Sequence, residues 1–138
     1  MMEMGVLSPA QERCIKDQLI RHLDPVTIIL FGSAASGMMR ADSDVDIAFI
    51  ANRSFSAFQI FKVAQINADK IGREVDLVDF RQASSVMKAQ IVGKRKPLLD
   101  EDPVMRQFEF MRALKAYAKL NEERLPVLVK YGYQELIG

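Results

Sequence analysis

Short apolar segments separated by polar turns predict an alternation of helices and strands along the chain. Mostly β-branched, apolar residues fill 26–31, which indicates a strand covered on both faces. Acidic and apolar residues alternate at the start of 44–50 and through 74–80, and both segments predict strands. Pro97 places a fourth strand, 96–99, at the edge of the sheet, because proline cannot donate a hydrogen bond within a ladder.

Helical spacing and capping residues predict four helices, at about 8–22, 54–72, 84–93 and 103–124. In the second of them, an apolar stripe is expected to pack in the core; it contains Phe58, Phe61, Ala64, Ala68 and Ile71 and is widened by Ile60 and Val63. Pro126 is expected to end the last helix. That helix carries two apolar stripes and precedes a tail, 125–138. Either this region contacts a partner or the tail folds back over the second stripe.

The order of these elements predicts an α/β fold within a single domain, 1–138. About a dozen residues join the first two strands, which is too short for a helical crossover between parallel strands. We therefore expect a small mixed β-sheet, with helices packed on one face.

Composition narrows the possible chemistry. Nineteen Lys and Arg residues against eighteen Asp and Glu residues give a net charge of +1, so no overall basic field favours direct binding of nucleic acid. One cysteine and one histidine exclude a disulfide framework and metal sites built from several such residues, so a catalytic metal would depend on carboxylates, as magnesium does. No apolar run approaches the length of a membrane span, and we expect a cytoplasmic protein without a signal peptide.

The pattern that carries chemistry is Gly32-Ser33, followed after ten residues by Asp44-Val45-Asp46, with Asp76 on the next strand. Alternate residues of a strand share a face, so Asp44 and Asp46 point the same way and repel each other unless a cation lies between them. Asp76 can complete a ligand set for two divalent ions. The small residues at and after Gly32 allow a phosphate to approach the backbone closely.

These residues resemble a known family. Segments 31–37, 43–48 and 75–79 are similar to the polymerase-β-like nucleotidyltransferase superfamily, and the short chain is similar to its minimal nucleotidyltransferases. Within them the MntA-type antitoxins, which act beside a HEPN-domain toxin RNase, look most similar. The resemblance implies a magnesium-dependent transfer of AMP from ATP to tyrosine hydroxyls of the toxin, within a hetero-oligomer, which silences the toxin.

The resemblance also implies roles for the phosphate-binding and acidic residues. Gly32 and Ser33 would hold ATP phosphates, Asp44 and Asp46 would ligate magnesium, and Asp76 would be the third carboxylate, placed to accept the proton of the attacking hydroxyl.

The loop after Ser33 departs from the family pattern. Many relatives carry an arginine or a tyrosine there, where this chain has Ala34 and Ala35. Either Arg40 supplies the missing positive charge, or the loop binds the triphosphate more weakly.

Several interpretations stay open at this point. The chain could instead be an antitoxin that binds its partner stoichiometrically, or a small-molecule nucleotidyltransferase of the antibiotic-modifying kind. Asp79, three residues after Asp76, should face the other way in a regular strand. The basic cluster Lys94-Arg95-Lys96 is either a solvated loop, an aid to triphosphate binding or a contact for an acidic partner.

Overall fold

A computed structural model describes the backbone of residues 7–130 and the side chains of residues 7–123. The described chain forms five α-helices, four strands and a short 3-10 helix, Phe80–Gln82. The helices are α1 (Pro9–Leu23), α2 (Ser33–Ser36), α3 (Ala57–Ile71), α4 (Ser85–Gly93) and α5 (Pro103–Lys130). The strands are β1 (Thr27–Phe31), β2 (Val45–Ile50), β3 (Val75–Asp79) and β4 (Arg95–Asp100).

The four strands form one mixed sheet in the order β3-β2-β1-β4. β1 is antiparallel to both of its neighbours, whereas β2 and β3 are parallel. The predicted α/β class and mixed sheet are confirmed. β4 lies at an edge, as the proline predicts: Pro97 is opposite Ile29, next to a shift in register.

Helices cover both faces of this sheet, so the prediction that they pack on one face is wrong. Ile28 and Leu30 of β1 belong to a core cluster shared with α1 and α3. Ile29 and Phe31 point the other way, into a second cluster with residues of α4 and α5. The physical reason is the pattern of β1 itself, because a strand that is apolar on both sides needs cover on both sides.

The buried face of α3 differs from the predicted stripe. Phe58 and Phe61 are 67% and 58% exposed, so their expected place in the core is wrong. The prediction is confirmed for Val63, Ala64 and Ile71, which face the core together with Asn67. The predicted stripe is wide, and the sequence contains no local signal that decides which side of it meets the sheet.

α5 extends beyond the predicted end at about residue 124. It continues to Lys130 through Pro126, so the expected stop at that proline is wrong. A proline inside a helix removes one hydrogen bond and crowds the carbonyl four residues earlier, which can bend a helix without ending it. The predicted tail lies largely outside the described residues, and the assignment of 1–138 to one domain stays a prediction. Among the described helices, none is long and apolar enough to cross a membrane.

Candidate active site

The end of β1 and the beginnings of β2 and β3 meet at one edge of the sheet. Antiparallel pairing places Phe31, the last residue of β1, opposite Asp46. Parallel pairing places Asp46 opposite Asp76 of β3. The register therefore brings Gly32, Asp46 and Asp76 together from three segments, as the sequence predicts.

Gly32 makes the closest approach to the central carboxylate. Its φ is 64°, in the left-handed region, and an added Cβ would lie 2.7 Å from Oδ2 of Asp46. Any other residue here would have both a strained backbone and a clash with that carboxylate. Ser33 follows directly as the first residue of α2. A group bound in front of Asp46 therefore meets backbone and small side chains.

The electrostatics of this edge centre on Asp46. The pKa of Asp46 is raised from 3.8 to about 6. Burial is the largest cause, followed by the negative charges of Asp76 and Asp44. Asp46 is half-buried, whereas Asp44, immediately before β2, and Asp76 are exposed. The three carboxylates thus interact unfavourably with one another, and a cation between them would relieve the repulsion.

The donor set suits a hard divalent cation, because carboxylate oxygens are the ligands that magnesium prefers. The three side chains nevertheless do not converge on one point: within residues 7–123 no group of three or more His, Cys, Asp or Glu side chains is arranged to hold a metal ion. The chemistry of the donors therefore fits magnesium, while their arrangement is more open than that of a formed metal centre.

A pocket of ≈ 410 Å³ opens beside Asp46, whereas Asp44 and Asp76 are not among its lining residues. Its lining combines the predicted residues Gly32 and Asp46 with residues at the end of α4, namely Gln90, Gly93 and Lys94. A larger cleft of ≈ 560 Å³ lies elsewhere, between α4 and α5, and none of the predicted site residues lines it. We assign the site to the smaller pocket because Gly32 and Asp46 both line it.

Arg40 does not line that pocket. It is exposed in the turn before β2, where its backbone N–H donates to Oγ of Ser43 at 2.8 Å and its carbonyl accepts from the Arg73 guanidinium. Asp79 also lies away from the site. It sits at the far end of β3, where its carboxylate accepts a hydrogen bond from the N–H of Arg81 at 3.2 Å.

Sequence reasoning missed Gln90 as a lining residue and left the role of Lys94 open. No local motif marks either position. Their proximity to Gly32 results from the packing of α4 against the sheet and from the pairing of β4 with β1. The basic run was the one signal that pointed to this region.

A glycine against an acidic sheet edge, beside an open pocket, suits a site that transfers groups from a nucleotide, because phosphates can approach the backbone and carboxylates can hold divalent ions. Residues 13–104 match the family described as Polymerase beta, Nucleotidyltransferase, and the chain belongs to this nucleotidyltransferase family. It is also 33% identical over 101 residues to the protein adenylyltransferase MntA of Shewanella oneidensis, a match that covers 73% of this chain and 72% of that protein.

Solved structures extend the similarity to most of the fold. A toxin–antitoxin crystal structure with AMP-PNP contains a chain that superposes with a TM-score of 0.81 at 29% identity, covering 87% of this chain and 97% of the other. A tri-AMPylated Shewanella oneidensis HEPN toxin in complex with its MNT antitoxin gives a TM-score of 0.75 at 27% identity, covering 88% and 96%. The resemblance to MntA-type antitoxins noted from the sequence is confirmed.

Proposed function

We propose that this protein is an antitoxin that transfers AMP from ATP to tyrosine hydroxyls of a cognate HEPN-domain toxin. The observation that carries the proposal is the strand register, which sets Asp46 between Gly32 and Asp76, with Gly32 and Asp46 both lining the pocket. The similarity to a protein adenylyltransferase adds the reaction class and the kind of acceptor.

The reaction balances as a single displacement at phosphorus. The tyrosine oxygen forms a bond to the α-phosphorus of ATP, the bond from that phosphorus to the bridging oxygen of the β-phosphate breaks, and pyrophosphate leaves. Asp76, which is exposed and lies on the strand beside Asp46, accepts the hydroxyl proton. Gly32 leaves room for the phosphates, and Ser33 offers a hydroxyl to them.

Magnesium is part of the proposal. Asp44, Asp46 and Asp76 would hold it, with two ions expected, and it would neutralise charge that develops on the phosphoryl oxygens and the leaving group. The raised pKa of Asp46 supports this role, since its main causes beyond burial are the two acids that would share the ions.

A stoichiometric antitoxin is the second candidate, because α5 exposes apolar side chains that a protein partner could cover. Val104, Phe108 and Met111 lie on one side of this helix and are 67%, 61% and 56% exposed. An enzyme that must hold a protein substrate would use exposed apolar residues in the same way as a stoichiometric binder. Covalent labelling of the partner therefore decides between the two functions.

The test is incubation with a cognate HEPN-domain toxin, magnesium and ATP labelled at either the α- or the γ-phosphate. The proposal predicts that the toxin acquires the α-label only. A γ-label would indicate phosphoryl transfer and contradict it. An unlabelled toxin that is bound and inhibited would establish stoichiometric neutralisation. In a parallel incubation with an aminoglycoside in place of the toxin, label on the aminoglycoside would establish a small-molecule enzyme.

The role of Asp76 has its own test. Asp76→Asn should reduce the single-turnover transfer rate at saturating ATP by at least about 100-fold, because the reacting hydroxyl loses its proton acceptor. ATP affinity, measured by calorimetry, should change much less, since Asp76 lies on the far side of Asp46 from Gly32. Lost ATP binding with an unchanged rate at saturation would contradict this assignment.

A further inference from the structure

The three residues of the basic cluster 94–96 have different surroundings. The Arg95 guanidinium lies 5.0 Å from the centroid of the Phe110 ring on α5 and donates to the carbonyl of Val92. The Lys96 ammonium lies 2.7 Å from a carboxylate oxygen of Glu12 on α1. Successive residues of β4 thus turn to opposite faces, and both of these cations have partners within the fold.

Lys94 differs from both, because it precedes β4 and lines the pocket together with Gly32 and Asp46. Arg95 is opposite Phe31 in the antiparallel ladder, so Lys94 and Gly32 leave that ladder side by side. Of the ion pairs formed by the described side chains, none includes Lys94. Its ammonium is therefore available to a ligand in the pocket.

The pocket is negative near Asp46 and Gly93, so an anionic ligand that binds there would require a positive charge beside it. Asp46 contributes negative charge, and α4 ends at Gly93, so the partial negative charge of a helix C-terminus also faces this region. An ATP triphosphate would add several negative charges beside Gly32. Lys94 is the cationic side chain in the pocket lining, whereas Arg40 lies outside it.

We propose that Lys94 binds the β- and γ-phosphates of ATP and so orients the triphosphate against Gly32. This inference rests on the proposed function, because it assumes that ATP occupies the pocket. Lys94 does not contact the reacting hydroxyl in this proposal. It is a substrate-binding residue that compensates for the alanines after Ser33.

Calorimetric titration of the full chain with ATP and with AMP tests the assignment without relying on transfer activity. Lys94→Gln should weaken ATP binding by about tenfold, the effect of losing one charge-assisted contact at an exposed site, and AMP binding by less than about twofold. Lys94→Arg, which keeps the charge, should restore most of the ATP affinity. The matched control is Lys96→Gln, which removes a neighbouring charge outside the pocket and should leave ATP affinity within about twofold.

Three results would overturn the inference. Equal ATP affinity in Lys94→Gln and Lys96→Gln would show that Lys94 makes no phosphate contact. An equal loss for ATP and AMP would place the contact on the α-phosphate or the nucleoside. Failure of Lys94→Arg to recover ATP binding would show that the effect does not depend on charge. If the wild type binds ATP but does not label a toxin, the proposed function fails, and the Lys94 assignment is still decided by these affinities.

Discussion

The two ends of β3 hold carboxylates in opposite electrical surroundings. At one end Asp76 is paired in register with Asp46, and burial together with the charges of Asp76 and Asp44 raises the pKa of Asp46 to about 6. At the other end burial also raises the pKa of Asp79, but the N–H of Arg81 and the charges of Arg81 and Lys88 act to lower it. Near Asp76 the neighbouring charges are negative, whereas near Asp79 they are positive.

This contrast distinguishes Asp46 of β2, the proposed metal ligand, from Asp79 at the opposite end of the paired strand β3, whose charge the fold compensates. Arg81 is held in place by Glu109 at 3.0 Å and by the carbonyl of Ala51 at 2.8 Å, so the compensation at Asp79 is built into the fold. At Asp46 every cause of the shift among the described residues acts to raise the pKa, and a perturbed pKa of this kind is common at functional sites.

The largest expected effect is the difference in AMP-transfer rate between Asp46→Asn and Asp79→Asn. Asp46→Asn should reduce AMP transfer by at least about 100-fold, as expected when a group that stabilises the transition state is removed. Asp79→Asn should keep transfer within a few-fold, because Asp79 lies at the far end of β3. Single-turnover labelling of the toxin below the melting temperature of both variants checks this. Equal losses in the two variants would break the distinction between the two ends.

The close approach of Gly32 to Asp46 predicts a somewhat smaller effect. Gly32→Ala should weaken ATP binding by about tenfold. The added Cβ would push the backbone at residue 32 away from Asp46, and an alanine at this φ of 64° would be strained. Gly72→Ala is the matched control, since Gly72 has a similar φ of 71° but open space around its Cβ position. Both variants should lose stability, and only Gly32→Ala should lose ATP affinity in calorimetry.

The smallest expected effect is a pH dependence of stability in the presence of a chelator. The pKa of Asp46 is raised in the folded state, so the native protein binds the extra proton, and stability should fall as pH rises from 3.8 to about 6 and then level off. Asp46→Asn cannot titrate. It should therefore be more stable than the wild type above that range, by about 1 kcal/mol after solvent screening, and equally stable below it. Parallel thermal melts measure the difference, and an opposite sign would contradict the like-charge account.

The acidic site could be predicted because its parts are local. Strand alternation, a glycine at the end of one strand and acids at the starts of the next two are all visible in the sequence, and the connection between β1 and β2 is too short to permit many arrangements. The structure brings Gly32, Asp46 and Asp76 together as expected. Arg40 could not be placed in the same way, because the path of its turn depends on contacts with Ser43 and Arg73.

The packing of the helices was the less predictable part. Phe58 and Val63 both belong to the wide apolar stripe predicted for α3, and which of them faces the core depends on how the helix rotates against the sheet. The approach of α4 to the pocket is likewise a tertiary effect, so Gln90 and Lys94 carry no local mark of their position. The cytoplasmic location and the contacts of the C-terminal region stay predictions.

We propose that the acids at this edge of the sheet act on ATP through divalent ions. The most direct measurement is single-turnover transfer of α-labelled AMP to the toxin across a magnesium titration, for the wild type and for Asp44→Asn combined with Asp46→Asn. We expect no transfer in chelator, a saturable rise with magnesium in the wild type, and at least about a 100-fold lower rate in the double variant with its fold intact. Wild-type transfer that is equally fast in chelator, or a double variant that transfers at near the wild-type rate, would contradict it.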